Sequence, residues 1–144
     1  MEILTEKRVM TDFIFVDTNI VLYTLGEDEH KKAIARSILA ERPLLSSQVI
    51  NEAINVCLRR FKFTREQAYT FADVVMRKTN VQAVDEMTIR KSAEIALRYQ
   101  FSNWDSLVIA AALLAKCDIL YSEDMQHNQV IDGHLTILNP FFES

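Results

Sequence analysis

The sequence has few residues that break regular structure or crosslink a chain. Its 144 residues include two glycines, two prolines and two cysteines. With so few helix breakers, the sequence predicts a helix-rich chain with short connections. Two cysteines are too few for a disulfide framework. The apolar surroundings of Cys57 and Cys117 indicate reduced side chains and predict a cytoplasmic protein.

Long apolar runs are also absent. No run reaches the roughly 18 apolar residues of a membrane-spanning helix, and the first residues lack the basic-then-apolar order of a signal peptide. Apolar residues make up 49% and charged residues 25% of the chain, which is the profile of a soluble globular protein. Residues 1–11 show no clear hydrophobic period, so we expect an N-terminal extension outside the fold and one domain over residues 12–144.

Strand-like runs alternate with helical periods along the rest of the chain. Residues 13–16 are continuously apolar, as in a strand that is covered on both faces. The alternation predicts βαβ units and a parallel sheet. The predicted strands are 13–16, 43–46, 81–84, 118–122 and 135–138, and the predicted helices are 19–25, 29–41, 47–60, 64–79, 86–99 and 103–116.

Four acidic residues occupy positions that the predicted fold brings to one edge of the sheet. Asp17 follows the first strand and Asp124 the fourth. Glu52 lies in the second turn of the helix after the second strand, on a polar face. Asp105 lies early in the helix that leads into the fourth strand. Each has an ordinary explanation by itself, since aspartates often cap helices and a glutamate on a polar face is often simply solvated.

Together the four acids predict a metal site. Two carboxylates 4 Å apart repel by about 4 kcal/mol at an effective dielectric of 20, so such a cluster needs a counter-charge. Oxygen-only ligands favour Mg²⁺ or Mn²⁺, and the three histidines lack the spacing of a zinc site. The net charge of −4 first argues against a nucleic-acid partner. Without the four acids, however, 16 acidic residues would balance the 16 basic ones.

Five segments resemble the PIN-domain ribonucleases, and most closely the VapC-type toxins of bacterial toxin–antitoxin pairs. The resemblance covers about residues 12–141, with the segments in the order of the family. It implies a Rossmann-like α/β/α sandwich around a mostly parallel sheet of about five strands. It also implies a Mg²⁺- or Mn²⁺-dependent endoribonuclease, a cognate antitoxin that occupies the active site, and homodimers. The segments are FVDTN (15–19), SSQVINE (46–52), WDSLVIAAAL (104–113), LYSEDM (120–125) and LNPF (138–141).

The resemblance also implies roles for individual residues. Asn19 and Ser122 match positions where the family often has a small polar residue beside the metal. Many relatives carry Gly after the histidine that matches His127, and this chain has Asn128 there. Asn tolerates a left-handed conformation, so we expect the loop to be retained. The family's acidic positions correspond here to Asp17, Glu52, Asp105 and Asp124.

The expected reaction is hydrolysis of an RNA phosphodiester by metal-activated water, with one or two ions. Asp17, Asp105 and Asp124 would be the principal ligands, directly or through water. Glu52 would hold a ligand or a bridging water and could orient the nucleophile. The basic and aromatic segment 58–65 is a candidate RNA surface, although positive charge at a helix C-terminus is common. Arg59 is the preferred residue of this segment because it shares the helix face of Glu52.

Two other classes of protein share part of this pattern. A phosphatase of the haloacid dehalogenase type would need a second aspartate two residues after Asp17, where this chain has Asn19. A non-catalytic regulatory or RNA-binding domain could keep the same fold. Such domains usually lose site acids, and all four are present here.

Overall fold

The computed structural model, which describes residues 13–143, contains six strands and six helices, with two helices after each of the first three strands. The predicted extension over residues 1–11 lies outside the described part of the chain. The strands are β1 (Ile14–Val16), β2 (Leu44–Ser46), β3 (Asn80–Gln82), β4 (Ile119–Tyr121), β5 (Val130–Ile131) and β6 (Leu135–Leu138). The helices are α1 (Thr18–Tyr23), α2 (Glu29–Ala40), α3 (Ser47–Arg59), α4 (Arg65–Lys78), α5 (Glu86–Tyr99) and α6 (Asn103–Leu114).

All strands belong to one sheet, in the order β3-β2-β1-β4-β6-β5. Every paired neighbour is parallel except β5, which runs antiparallel to β6. Helices cover both faces of the central strands, so their side chains are apolar and inaccessible, as at Phe15, Leu45 and Leu120. This arrangement confirms the predicted α/β fold with a mostly parallel sheet.

The sheet has six strands, one more than the sequence indicated. The additional strand, β5, has only two residues, of which Val130 is exposed and Ile131 buried. A segment this short has no measurable hydrophobic period. The helix predicted over 103–116 ends at Leu114, because Lys116 adopts a left-handed conformation with φ +62°.

The register of β1 against β4 determines which residues share the carboxyl edge of the sheet. Val16 is paired with Tyr121, so Asp17 and Ser122 follow the last paired residues of adjacent strands. The Asp17 amide donates a hydrogen bond to the Tyr121 carbonyl at 3.0 Å. α1 and α3 both begin directly at this edge. Within residues 13–143, no helix has the length and apolar composition required to cross a membrane.

Candidate metal centre at the carboxyl edge of the sheet

Asp17 is buried at the start of α1, with only 6% of the residue exposed. Its Oδ1 accepts a hydrogen bond from the Thr18 amide at 2.7 Å, so Asp17 does cap the helix. Its Oδ2 accepts a hydrogen bond from the Ser122 hydroxyl at 2.9 Å. Burial raises the pKa of Asp17 from 3.8 to about 6, and the charges of Glu52 and Asp105 contribute to the rise. Asp17 therefore caps α1 and also belongs to the group of acidic residues at this edge.

Glu52 is held at the site by a residue that sequence reasoning missed. The Thr18 hydroxyl donates a hydrogen bond to Glu52 Oε2 at 2.6 Å. Thr18 is buried, whereas Glu52 is half-buried on α3. The only sequence signal for Thr18 was its place between Asp17 and Asn19. A hydroxyl at that position links the first turn of α1 to the second turn of α3.

Asn19 connects the start of α1 to the segment that follows β4. Its Nδ2 donates a hydrogen bond to Asp124 Oδ2 at 3.0 Å. Its Oδ1 accepts a hydrogen bond from the Glu123 amide at 3.3 Å. Asn19 thus contacts Asp124, and Ser122 contacts Asp17.

Asp105 lies in the first turn of α6, where its amide donates a hydrogen bond to the Ser102 hydroxyl oxygen at 3.1 Å. Partial burial raises the pKa of Asp105, and the negative charges of Asp124 and Glu52 raise it further. These couplings mean that α6 begins at the same edge as α1 and α3. The structure therefore brings all four predicted acids to one region.

Glu123 lies between two site residues in sequence but has its own cation. Lys31 Nζ lies 2.6 Å from Glu123 Oε2, and the Tyr23 hydroxyl also donates to this carboxylate. Although partial burial acts to raise the pKa of Glu123, these two hydrogen bonds lower it. Lys31 also lies over the Phe141 ring, 5.5 Å from its centroid. No pattern in the sequence indicates that these residues meet.

The site acids differ from Glu123 in their ion pairing. None of the ion pairs formed within residues 13–143 involves Asp17, Glu52, Asp105 or Asp124. Carboxylate and amide oxygens without histidine or cysteine are a donor set suited to a hard divalent cation.

The spacing of the four acids differs from that of a preformed metal-binding site. In the described part of the chain, no three His, Cys, Asp or Glu side chains lie close enough together to hold a metal ion. Asp124 is exposed and Glu52 is half-buried, and each carboxylate has one oxygen in a hydrogen bond, from Asn19 and from Thr18 respectively. The residues fit a divalent cation by the chemistry of their oxygen atoms and by their location at one edge of the sheet.

Arg59 is not brought into the acidic cluster. It is exposed in the last turn of α3, seven residues and about 10 Å along the helix from Glu52. The neighbouring Phe61 and Phe63 rings lie 6.1 Å apart at the far end of this helix. In the loop beyond Asp124, Asn128 adopts the left-handed conformation that was expected to be tolerated there, with φ +71°.

The family model of the PIN domain matches residues 14–132. No curated protein sequence gives a significant match.

Several solved structures share the fold. A toxin–antitoxin complex from Klebsiella pneumoniae matches with a TM-score of 0.68 and 16% identity, over 89% of this chain and 98% of the other. VapC20 of Mycobacterium tuberculosis, a toxin that cleaves the sarcin–ricin loop, matches with a TM-score of 0.62 and 19% identity, over 77% and 89%. VapBC2 of Rickettsia felis, bound to a promoter DNA fragment, matches with a TM-score of 0.65 and 17% identity, over 86% and 96%. At these identities the likeness shows a shared fold.

Proposed function

Because the chain belongs to the PIN domain family, we propose that it is a metal-dependent endoribonuclease and the toxin of a type II toxin–antitoxin pair. The observation that carries the proposal is the convergence of four carboxylates, from four separate elements, at one edge of a parallel sheet. Within residues 13–143 their charges have no cationic partner. The toxin role is supported by the similar folds of VapC20 and of the toxin–antitoxin complexes.

The proposed ligands of Mg²⁺ or Mn²⁺ are the four acids Asp17, Glu52, Asp105 and Asp124. When bound, such an ion neutralises phosphate charge and lowers the pKa of a water nucleophile. The chain supplies orientation, because Ser122 and the Thr18 amide fix both oxygens of Asp17. The hydrogen bond that Thr18 donates to Glu52 engages Oε2, so Oε1 would remain available to hold the ion or to orient the attacking water.

An apolar groove supports the proposed antitoxin partner. The groove has a volume of about 630 Å³ and lies between the end of α1, α2 and α4. Its rim carries three basic side chains, so a helix with an apolar face and acidic flanks would fit it. The apolar lining is Leu25, Leu39, Ala40, Phe71, Val74 and Val75, and the basic residues are Arg36, Arg42 and Lys78.

We further propose that the chain forms homodimers. Several apolar side chains on α5 are left exposed in the single chain, among them Leu97 at 84% and Met87 at 65%. Burial of these exposed side chains against a second copy of the chain would remove their apolar surface from water. Light scattering of the purified protein should give twice the mass of one chain.

Cleavage of RNA under metal control tests the proposed function. Purified protein should cut single-stranded RNA in Mg²⁺ or Mn²⁺ and stop in excess EDTA. Asp105→Asn should abolish cleavage, whereas Asp118→Asn, which changes an exposed aspartate outside the cluster, should not. Full activity in EDTA would contradict the metal role. Absence of cleavage in every metal would favour a non-catalytic domain that keeps the fold.

A further inference from the structure

Trp104 is the only tryptophan of the chain, and it lies immediately before the site acid Asp105. It occupies the first turn of α6, with 54% of the residue exposed. Tryptophan is the largest side chain and is normally highly buried. Such an exposed indole beside a catalytic cluster requires an explanation other than packing of the core.

Helical geometry places Trp104 at the rim of the acidic cluster. Successive residues of a helix point about 100° apart. On one side of Asp105, Ser106 is buried at 1% exposure, and on the other side Trp104 faces solvent. Asp105 therefore lies at the boundary between the interior and the rim, and Trp104 is its outward neighbour.

The indole ring of Trp104 takes part in none of the aromatic pairs that the structure contains within residues 13–143. The aromatic pairs found among residues 13–143 join Tyr23 to Phe141, Phe61 to Phe63, Tyr99 to Phe101 and His127 to Phe142. The cation–π contacts in that range involve Lys31 only. Within the described residues, no aromatic ring or cation therefore stacks on the indole, which is 54% exposed and adjoins Asp105 in sequence.

We propose that Trp104 stacks on a nucleobase adjacent to the phosphate that is cleaved. The inference rests on the proposed ribonuclease function and adds a residue that binds the base. Proteins that bind single-stranded RNA hold splayed bases on exposed aromatic side chains. Stacking on Trp104 would position the neighbouring phosphate at Asp105, on the next residue of the helix.

Intrinsic fluorescence gives a direct test, because all tryptophan emission comes from this residue. Glu52→Gln protein in Mg²⁺ serves as a slow-cleaving form for titration with a short single-stranded RNA of mixed sequence. Emission should be quenched as RNA binds, and binding is followed separately by anisotropy of the dye-labelled RNA. An abasic oligonucleotide of the same length has the phosphates without the bases, and it should leave the emission unchanged.

Cleavage kinetics supply the second measurement. Trp104→Ala should raise the KM for the RNA about tenfold, within the range found when stacking aromatics are removed. Trp104→Phe should stay within about twofold of wild type, since phenylalanine also stacks. Tyr69→Ala removes a similarly exposed aromatic from α4, at 57% exposure, and should change neither KM nor kcat. Melting temperatures of all variants should match wild type.

Each other outcome overturns the inference. RNA that binds without quenching, or a Trp104→Ala variant with unchanged KM, would refute stacking while leaving the ribonuclease function intact. Emission that depends on protein concentration and not on RNA would instead assign Trp104 to a contact between chains. Wild-type protein that neither binds nor cleaves RNA would refute the stacking and the proposed function together.

Discussion

Replacing Asp17 by asparagine should stabilise the metal-free protein at neutral pH. The pKa of Asp17 is about 6 in the folded chain, against an ordinary value of 3.8. The folded state therefore binds a proton more tightly than the unfolded state. Stability must fall as pH rises from about 4 to about 7, because the buried carboxylate then carries its charge.

The size of this effect follows from the pKa difference. A shift from 3.8 to about 6 corresponds to roughly 3 kcal/mol at 1.36 kcal/mol per unit. In Asp17→Asn the new amide side chain would keep an oxygen for the Thr18 amide and lose the charge. In EDTA at pH 7.5 we expect the variant to melt about 5–10 °C above wild type. Below about pH 4, where Asp17 is neutral, the two proteins should converge.

Melting temperature against pH, in EDTA and in Mg²⁺, measures this prediction. Mg²⁺ should stabilise wild type through binding to the folded state, and it should stabilise Asp17→Asn much less. Asp85→Asn is an opposite control, since hydrogen bonds from Thr88 lower the pKa of the exposed Asp85 cap. That control should lose stability at neutral pH. If Asp17→Asn is no more stable than wild type in EDTA at pH 7.5, the charged form of Asp17 does not destabilise the folded protein. Asp17 would then not belong to the proposed acidic site.

Three further predictions concern the site and its partners. Thr18→Val removes the hydroxyl that donates a hydrogen bond to Glu52 and should lower kcat about tenfold. A hydrogen bond to a charged group contributes roughly 1.5–3 kcal/mol. Thr18→Ser retains a hydroxyl and should keep the wild-type rate. Arg59→Ala should weaken RNA binding and reduce its salt dependence by about 0.7 in log–log slope, and an unchanged salt titration would leave Arg59 as ordinary surface charge. Val74→Glu in the groove should weaken antitoxin binding without affecting cleavage. A structure of the complex should also show an arginine of the antitoxin among the four carboxylates. An acidic pocket that the bound antitoxin leaves open would contradict the last expectation.

The arrangement of strands was readable from the sequence because the signals were strong and local. Residues 13–16 form a continuous apolar run, and on a half-exposed strand every second side chain of the run would face water. The run therefore predicted a strand in a sheet that is covered on both faces. β5 was missed because two residues do not establish a period. Its pairing with β6 depends on a turn at Asp132 and Gly133, both with positive φ, and not on a local pattern.

The network around the acids was harder to predict, because its contacts join residues distant in sequence. Thr18 and Glu52 are 34 positions apart, and Lys31 and Glu123 are 92 apart. Nothing in the composition of either segment indicates its partner. Glu123 and Asp124 are adjacent acids, and only the structure shows that Glu123 pairs with Lys31 while Asp124 contacts Asn19 beside the other site acids.

For Asp17, the sequence alone could not distinguish a helix cap from a metal ligand. A helix start and a metal ion both select a short side chain with an acceptor oxygen, and Asp17 serves the first purpose through Oδ1. A cap exposed to water would keep an ordinary or lowered pKa, as the exposed Asp85 cap does. Asp17 instead has a raised pKa, because it is buried and two other acids face it. The fold thus maintains a carboxylate in a position that is unfavourable for a cap alone, and a cation at this edge would relieve it.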